Sequence, residues 1–139
     1  MDTKIFNIQD LSFVHEDRTE RGGGVGLYVR SSFKPKKIEI PEFQNGIDTI
    51  WVQMKLNKLG VIYRPPNVSS YIHTYIHTCF YDILPEVLQG CDMCICTGDL
   101  NINFLCKTTA DYGYLTDLLN SFDLTQLINV PTRMTKTTK

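Results

Sequence analysis

No run of about 18 apolar residues occurs in the chain, the length that marks a membrane-spanning helix. The opening residues MDTKIFNIQD lack the basic-then-apolar order of a secretory signal. The expectation is therefore an intracellular protein, nuclear or cytoplasmic, and not a secreted one. Basic excess is missing too, since 14 Lys and Arg face 15 Asp and Glu. That balance excludes an overall positive field of the kind that grips nucleic acid without regard to sequence. Local clusters remain, Lys34, Lys36 and Lys37 in one loop and Arg133, Lys136 and Lys139 near the C-terminus, and both read as solvated surface. The five cysteines are an odd number with Cys91, Cys94 and Cys96 crowded together, which does not suit a secreted disulfide framework. Reduced thiols are the simpler reading.

What is present fits one globular domain over residues 1–139, with 42% hydrophobic and 21% charged residues. Leu11, Phe13 and His15 alternate with polar residues, a charged stretch and the triple glycine Gly22 to Gly24 follow, and Val25, Leu27 and Val29 then share one face of a second strand. A third strand, 47–56, places Ile50, Val52, Met54 and Leu56 together. Asn57 and Lys58 are expected to form a tight turn, with residues 59–63 returning until Pro65 and Pro66 end the strand. Ser69 or Ser70 can cap a helix carrying Ile72, Tyr75, Ile76, Cys79, Phe80, Ile83, Val87 and Leu88 at helical spacing. Pro85 should kink or end it, and Gly90 marks the exit. Met93 to Thr97 reads as a fully buried strand, 110–122 as an amphipathic helix with Tyr114, Leu115, Leu118, Leu119 and Phe122 inward, and 124–128 as a last strand. Strands first and strand-helix alternation later predict a sheet-based α/β (α+β) domain with helices packed outside.

Two strand ends carry candidate chemistry. In Thr97-Gly98-Asp99-Leu100-Asn101-Ile102-Asn103, Asp99 and Asn101 are two apart and would project together from an extended chain. A carboxylate beside an amide can take a proton from a water while the amide orients it or supports a phosphate oxygen. The same pair offers oxygen ligands to Mg²⁺, which needs only one or two carboxylates. Spacing alone favours an ordinary Asp/Asn turn over this pair. In Val61-Ile62-Tyr63-Arg64-Pro65-Pro66-Asn67 the prolines stiffen the exit, so the phenol of Tyr63 and the guanidinium of Arg64 would be displayed from a fixed backbone, suited to phosphate. The plainer reading makes Tyr63 a core-edge aromatic and Arg64 a surface charge.

The two segments occur in order with two more. RGGGVGLYVR, GVIYRPPN, TGDLNIN and LINVPTRMT together resemble the endonuclease/exonuclease/phosphatase domain of jockey-type and related non-LTR, LINE-like retrotransposons, over nearly the whole chain from about Phe13. The resemblance implies a DNase I-like two-sheet sandwich with helices on its outer faces, Mg²⁺-dependent (or Mn²⁺-dependent) hydrolysis of a DNA phosphodiester, and a reverse transcriptase fused in relatives. It gives Asp99 the activation of the attacking water, Asn101 its positioning with the phosphate, Tyr63 a contact to the scissile phosphate and Asn67 a supporting place. Gly22 to Gly24 match the family's tight turn before a strand. A nucleotide-binding loop would instead open a helix.

No residue of this sequence matches the family's metal-binding glutamate or its final Asp-His pair, so the expectation is a truncated domain with impaired chemistry. His15, His73 and His77 lie elsewhere. Missing outer strands would leave unpaired backbone and apolar surface open. The hairpin from Trp51 to Tyr63 is shorter than in relatives, and an odd shortening would turn Tyr63 to the opposite face. Two alternatives stand beside this reading. One is a non-catalytic interaction domain using the helix around 71–88. The other is a zinc module from Cys91, Cys94 and Cys96 with His73 or His77, against which Cys94 and Cys96 read as small apolar residues on one strand face.

Overall fold

The computed structural model describes residues 7–17, 24–40, 48–66 and 77–132. The fold is mixed α+β, with two sheets and few helices. Contacts within the chain cluster into two compact units, residues 1–100 and 101–139.

The first unit holds both sheets. Strands β1 (Leu11–Asp17) and β2 (Gly24–Arg30) form an antiparallel pair in which Phe13 lies opposite Tyr28 and His15 opposite Gly26. The period-2 pattern works as expected, with Val25 and Val29 buried and their neighbours exposed. On the other face, the Phe13 ring stacks on Tyr28 at 4.7 Å and on His15 at 5.0 Å. Gly26 makes this possible, because a Cβ there would come within 2.8 Å of the Phe13 ring.

The second sheet has the order β3-β4-β5-β6, from β3 (Lys36–Ile38), β4 (Asp48–Met54), β5 (Asn57–Tyr63) and β6 (Met93–Asp99). Of the lysines expected in a loop, Lys36 and Lys37 enter a short strand that borders the sheet among the described residues, where charge discourages stray pairing, while Lys34 stays before it with a φ of 49°. Lys37 forms an ion pair with Glu16 of β1, and that hydrogen bond raises the Lys37 pKa.

The β4–β5 turn differs from expectation. Met54 pairs with Asn57, so Lys55 and Leu56 form the turn, Lys55 with a left-handed φ of 56°. A turn at Asn57 and Lys58 would have paired Leu56 with Leu59. The shift is two residues along the turn and four in register. An even shift keeps every side chain on its face.

Sheet β5–β6 is parallel, and the crossover contains a π-helical turn, Thr78–Ile83, followed by α1 (Leu84–Leu88). Pro85 explains the change of winding. It lies in the first turn of α1, has no N–H for the carbonyl one turn back and crowds that carbonyl with its ring, and the turn leading into it is wound wide. Phe80, Ile83, Leu84 and Val87 are buried, and Gly90 turns the chain with a φ of 61°. The predicted cap at Ser69 or Ser70 lies outside the described residues.

Ile50, Trp51, Val52 and Ile62 form the centre of the β3–β6 sheet, each at most 2% exposed. Trp51 lies opposite Gly60, and a Cβ on Gly60 would fall 2.4 Å from the indole. The indole Nε1 is buried without a hydrogen-bond partner. Strand β6 was expected to be fully buried, yet Met93 and Ile95 are 50% and 44% exposed. It borders the sheet among the described residues, so only its Cys94/Cys96 face is partly covered.

In the second unit, α2 (Ala110–Ser121) starts where the Thr109 hydroxyl accepts the Tyr112 N–H at 3.3 Å. Leu115 and Leu118 are buried, while Tyr114, Leu119 and Phe122 are half-buried. The strand expected at 124–128 is not formed. These residues have no ladder partner among those described, and Leu127 is 77% exposed. An extended segment without a partner is not a strand. Among the described residues no helix is long and apolar enough to cross a membrane.

Candidate functional site

The sheet register decides which candidates meet. Tyr63 closes β5 and Asp99 closes β6, and the two are direct Cα partners in the parallel pair. Neighbouring strands lie about 4.8 Å apart and partners share a face, so the phenol and the carboxylate rise side by side from two strand tips. On the other flank, Tyr63 is the partner of Asp48 at the start of β4. A row Asp48–Tyr63–Asp99 therefore crosses three strands on one face. Asp48 is buried, 7% exposed, whereas Tyr63 is half-buried and Asp99 exposed. The hairpin register keeps Tyr63 paired with Asp99.

Asp48 was not among the residues singled out from sequence. Its signal was hidden in the turn. With Asn57 and Lys58 as the turn, Val52 would have been the partner of Tyr63; with Lys55 and Leu56 it is Asp48.

Gly98 holds the β6 tip close. Its φ is 130°, and an added Cβ would sit 1.9 Å from the Ile62 carbonyl oxygen of β5. Only glycine allows so near an approach with that backbone. The Arg64 N–H then donates to the Asp99 carbonyl at 2.9 Å, and Arg64 Nε donates to the Leu100 carbonyl. Arg64 is 4% exposed. The expectation of a displayed guanidinium is corrected here. The strand alternation continues through Arg64 to the face of Lys58, Gly60 and Ile62, and the side chain works as a buried clamp on the end of β6. Replacing Arg64 by methionine keeps much of the stem and strips the donor from the half-buried Leu100 carbonyl, so a loss of about 1 kcal/mol is expected. Urea denaturation of the variant beside the parent checks it.

Asn101 does not continue the strand. β6 ends at Asp99, and Asn101 has a φ of 50°, a left-handed conformation that asparagine tolerates better than most residues. The two-residue rule that would align it with Asp99 stops at the strand end. Asn101 is exposed and opens the second unit, where the Asn103 carboxamide accepts the Leu105 N–H at 3.0 Å in a tight loop. Asn67 lies outside the described residues, as do His73, Arg133, Lys136 and Lys139.

Comparison with protein-family models, with curated proteins and with solved structures finds no match.

Among the described residues no group of three or more His, Cys, Asp or Glu side chains is placed to hold a metal ion. His77 stacks on Tyr81 at 4.6 Å, and Cys91, Cys94, Cys96 and Cys106 are not joined in disulfides. The Asp48–Asp99 pair is a smaller donor set, two carboxylates on one sheet face. They stand two strand spacings apart, about 9.6 Å, with Tyr63 between them. That is too far for one Mg²⁺ with bonds of about 2.1 Å to take both directly, and one carboxylate with several waters is the smaller demand that Asp99 alone can meet. Two clefts of about 530 and 410 Å³ lie elsewhere, the first beside Asp10 and Arg30, the second in the second unit beside Tyr112 and Leu124.

Proposed function

We propose that this chain carries the phosphodiester-hydrolysing site of a retrotransposon-type endonuclease/exonuclease/phosphatase domain, acting on DNA with Mg²⁺, on a DNase I-like two-sheet sandwich. The observation that supports it is the register setting Tyr63 beside Asp99. The motif resemblance supplies the reaction class, and the strand tips supply the neighbouring phenol and carboxylate. In this reading the Asp99 carboxylate accepts a proton from the attacking water. The Tyr63 phenol O–H donates to a non-bridging phosphate oxygen, where negative charge grows as the water adds. Asp99 would hold the metal ion together with its waters, and the ion when bound would neutralise phosphate charge and ease deprotonation of water. The resemblance gives Asn101 the task of orienting that water and Asn67 a supporting one. Arg64 serves by fixing the β6 end rather than by touching phosphate.

Nicking of supercoiled plasmid should depend on Mg²⁺, stop with chelator, and fall about 100-fold in Asp99→Ala. Nicking that survives the substitution, or that never exceeds the metal-free blank, removes the reading.

A further inference from the structure

Beyond this strand-tip site, the opposite face of β6 carries a second arrangement of reactive groups. Cys94 and Cys96 are two apart in an extended strand, so both thiols leave the same side. Each is half-buried and outside any disulfide. The register sets Cys94 beside Lys58 and Cys96 beside Gly60. Lys58 is 7% exposed, with its ammonium donating to the Gln89 carbonyl at 2.8 Å. A hydrogen bond from Cys96 lowers the Cys94 pKa; burial opposes this, and the Lys58 charge adds to the lowering.

Two chemistries suit neighbouring thiols, and strand geometry separates them. A rise of about 3.3 Å per residue puts these Cβ atoms roughly 6.6 Å apart. A disulfide needs Cβ atoms at about 3.5–4.5 Å, so direct S–S closure would require the strand to buckle. One bridging atom between the sulfurs spans the gap without moving the backbone, since thiolate–metal bonds run to about 2.3 Å for zinc. We propose that Cys94 and Cys96 form a two-thiolate clamp for a soft, low-coordinate monovalent cation of the Cu(I) class. Thiolates select such ions over harder ones. On binding, two S–H bonds break and two S–metal bonds form, both protons pass to solvent, and no oxidation state changes. The product carries one net negative charge. Lys58, a buried cation beside Cys94, balances it.

The test titrates the reduced full chain with Cu(I) under anaerobic conditions against a chromophoric Cu(I) chelator. One ion bound per chain is expected, with release of two protons, and one equivalent should shield Cys94 and Cys96 but not Cys106 from iodoacetamide as read by peptide mass spectrometry. Cys94→Ser and Cys96→Ser should each weaken binding by more than the roughly 10–100-fold typical of losing a supporting residue. Lys58→Met should weaken it about 10-fold, and Cys106→Ser should leave it unchanged. Shielding of other cysteines instead, equal affinity in Cys94→Ser and Cys106→Ser, or displacement by equimolar Zn(II) overturns the proposal. The shielding experiment uses the unaltered chain, so a variant that fails to fold does not spare the idea.

Discussion

Replacing Gly98 by alanine is expected to destabilise the protein by about 3 kcal/mol, near the top of the range for enforced backbone strain, and to silence whatever nicking the chain performs. The new methyl would meet the Ile62 carbonyl oxygen at 1.9 Å, a backbone atom that cannot swing aside as a side chain would. The φ of 130° adds strain for any residue with a Cβ. Relief requires β6 to move away from β5. That breaks the Tyr63–Asp99 pairing and the Arg64 N–H to Asp99 carbonyl bond. Urea midpoints measure the first effect and plasmid nicking the second. A variant as stable as the parent would mean that the two strand ends are not in this close register.

The second large effect is expected at Gly60. Valine there should cost about 3 kcal/mol through overpacking, because the indole of Trp51, 1% exposed, already occupies the space a Cβ would need. The clash is specific to one partner, so it can be relieved from the other side. Trp51→Phe removes the ring atoms that meet the new side chain, and it also deletes a buried N–H that has no acceptor, softening the cost of losing the larger aromatic. Stability of Gly60→Ala combined with Trp51→Phe should exceed the sum of the single effects, a coupling of about 1 kcal/mol or more in a double-mutant cycle. Followed by circular dichroism, strict additivity would contradict the packing described here.

Much of the fold could be read from residue periodicity, and the failures share a cause. β1, β2 and β4 announce themselves because one face of each is apolar, and side-chain alternation needs no knowledge of the neighbours. The helix at 110–121 is visible for the same reason, with Thr109 as its cap. What a single strand cannot reveal is who lies next to it. Met93 to Thr97 is apolar enough for a central strand, yet it has β5 on one side and no partner on the other among the described residues. Residues 124–128 have the composition of a strand and no ladder partner among the described residues. Arg64 looked like a surface charge because arginine usually is one, and its burial follows from the alternation of β5 running one residue past the last ladder pair. Tyr63 and Asp99 were found as separate strand ends, and their meeting depends on a parallel register that no local signal encodes. Asp48 was lost to a turn read two residues late. Lys55 takes the left-handed position that asparagine at 57 advertised.

The chain has one tryptophan, and its place against Gly60 in the middle strands of the larger sheet makes it a built-in optical probe. Ultraviolet emission from this molecule reports a single interior location, shielded from water while β4 and β5 stay paired. Red-shifted light on denaturation therefore times the opening of that hairpin alone. Setting the optical curve against the loss of helical dichroism would show whether the residues around 110–121 melt together with the sheet or in a step of their own.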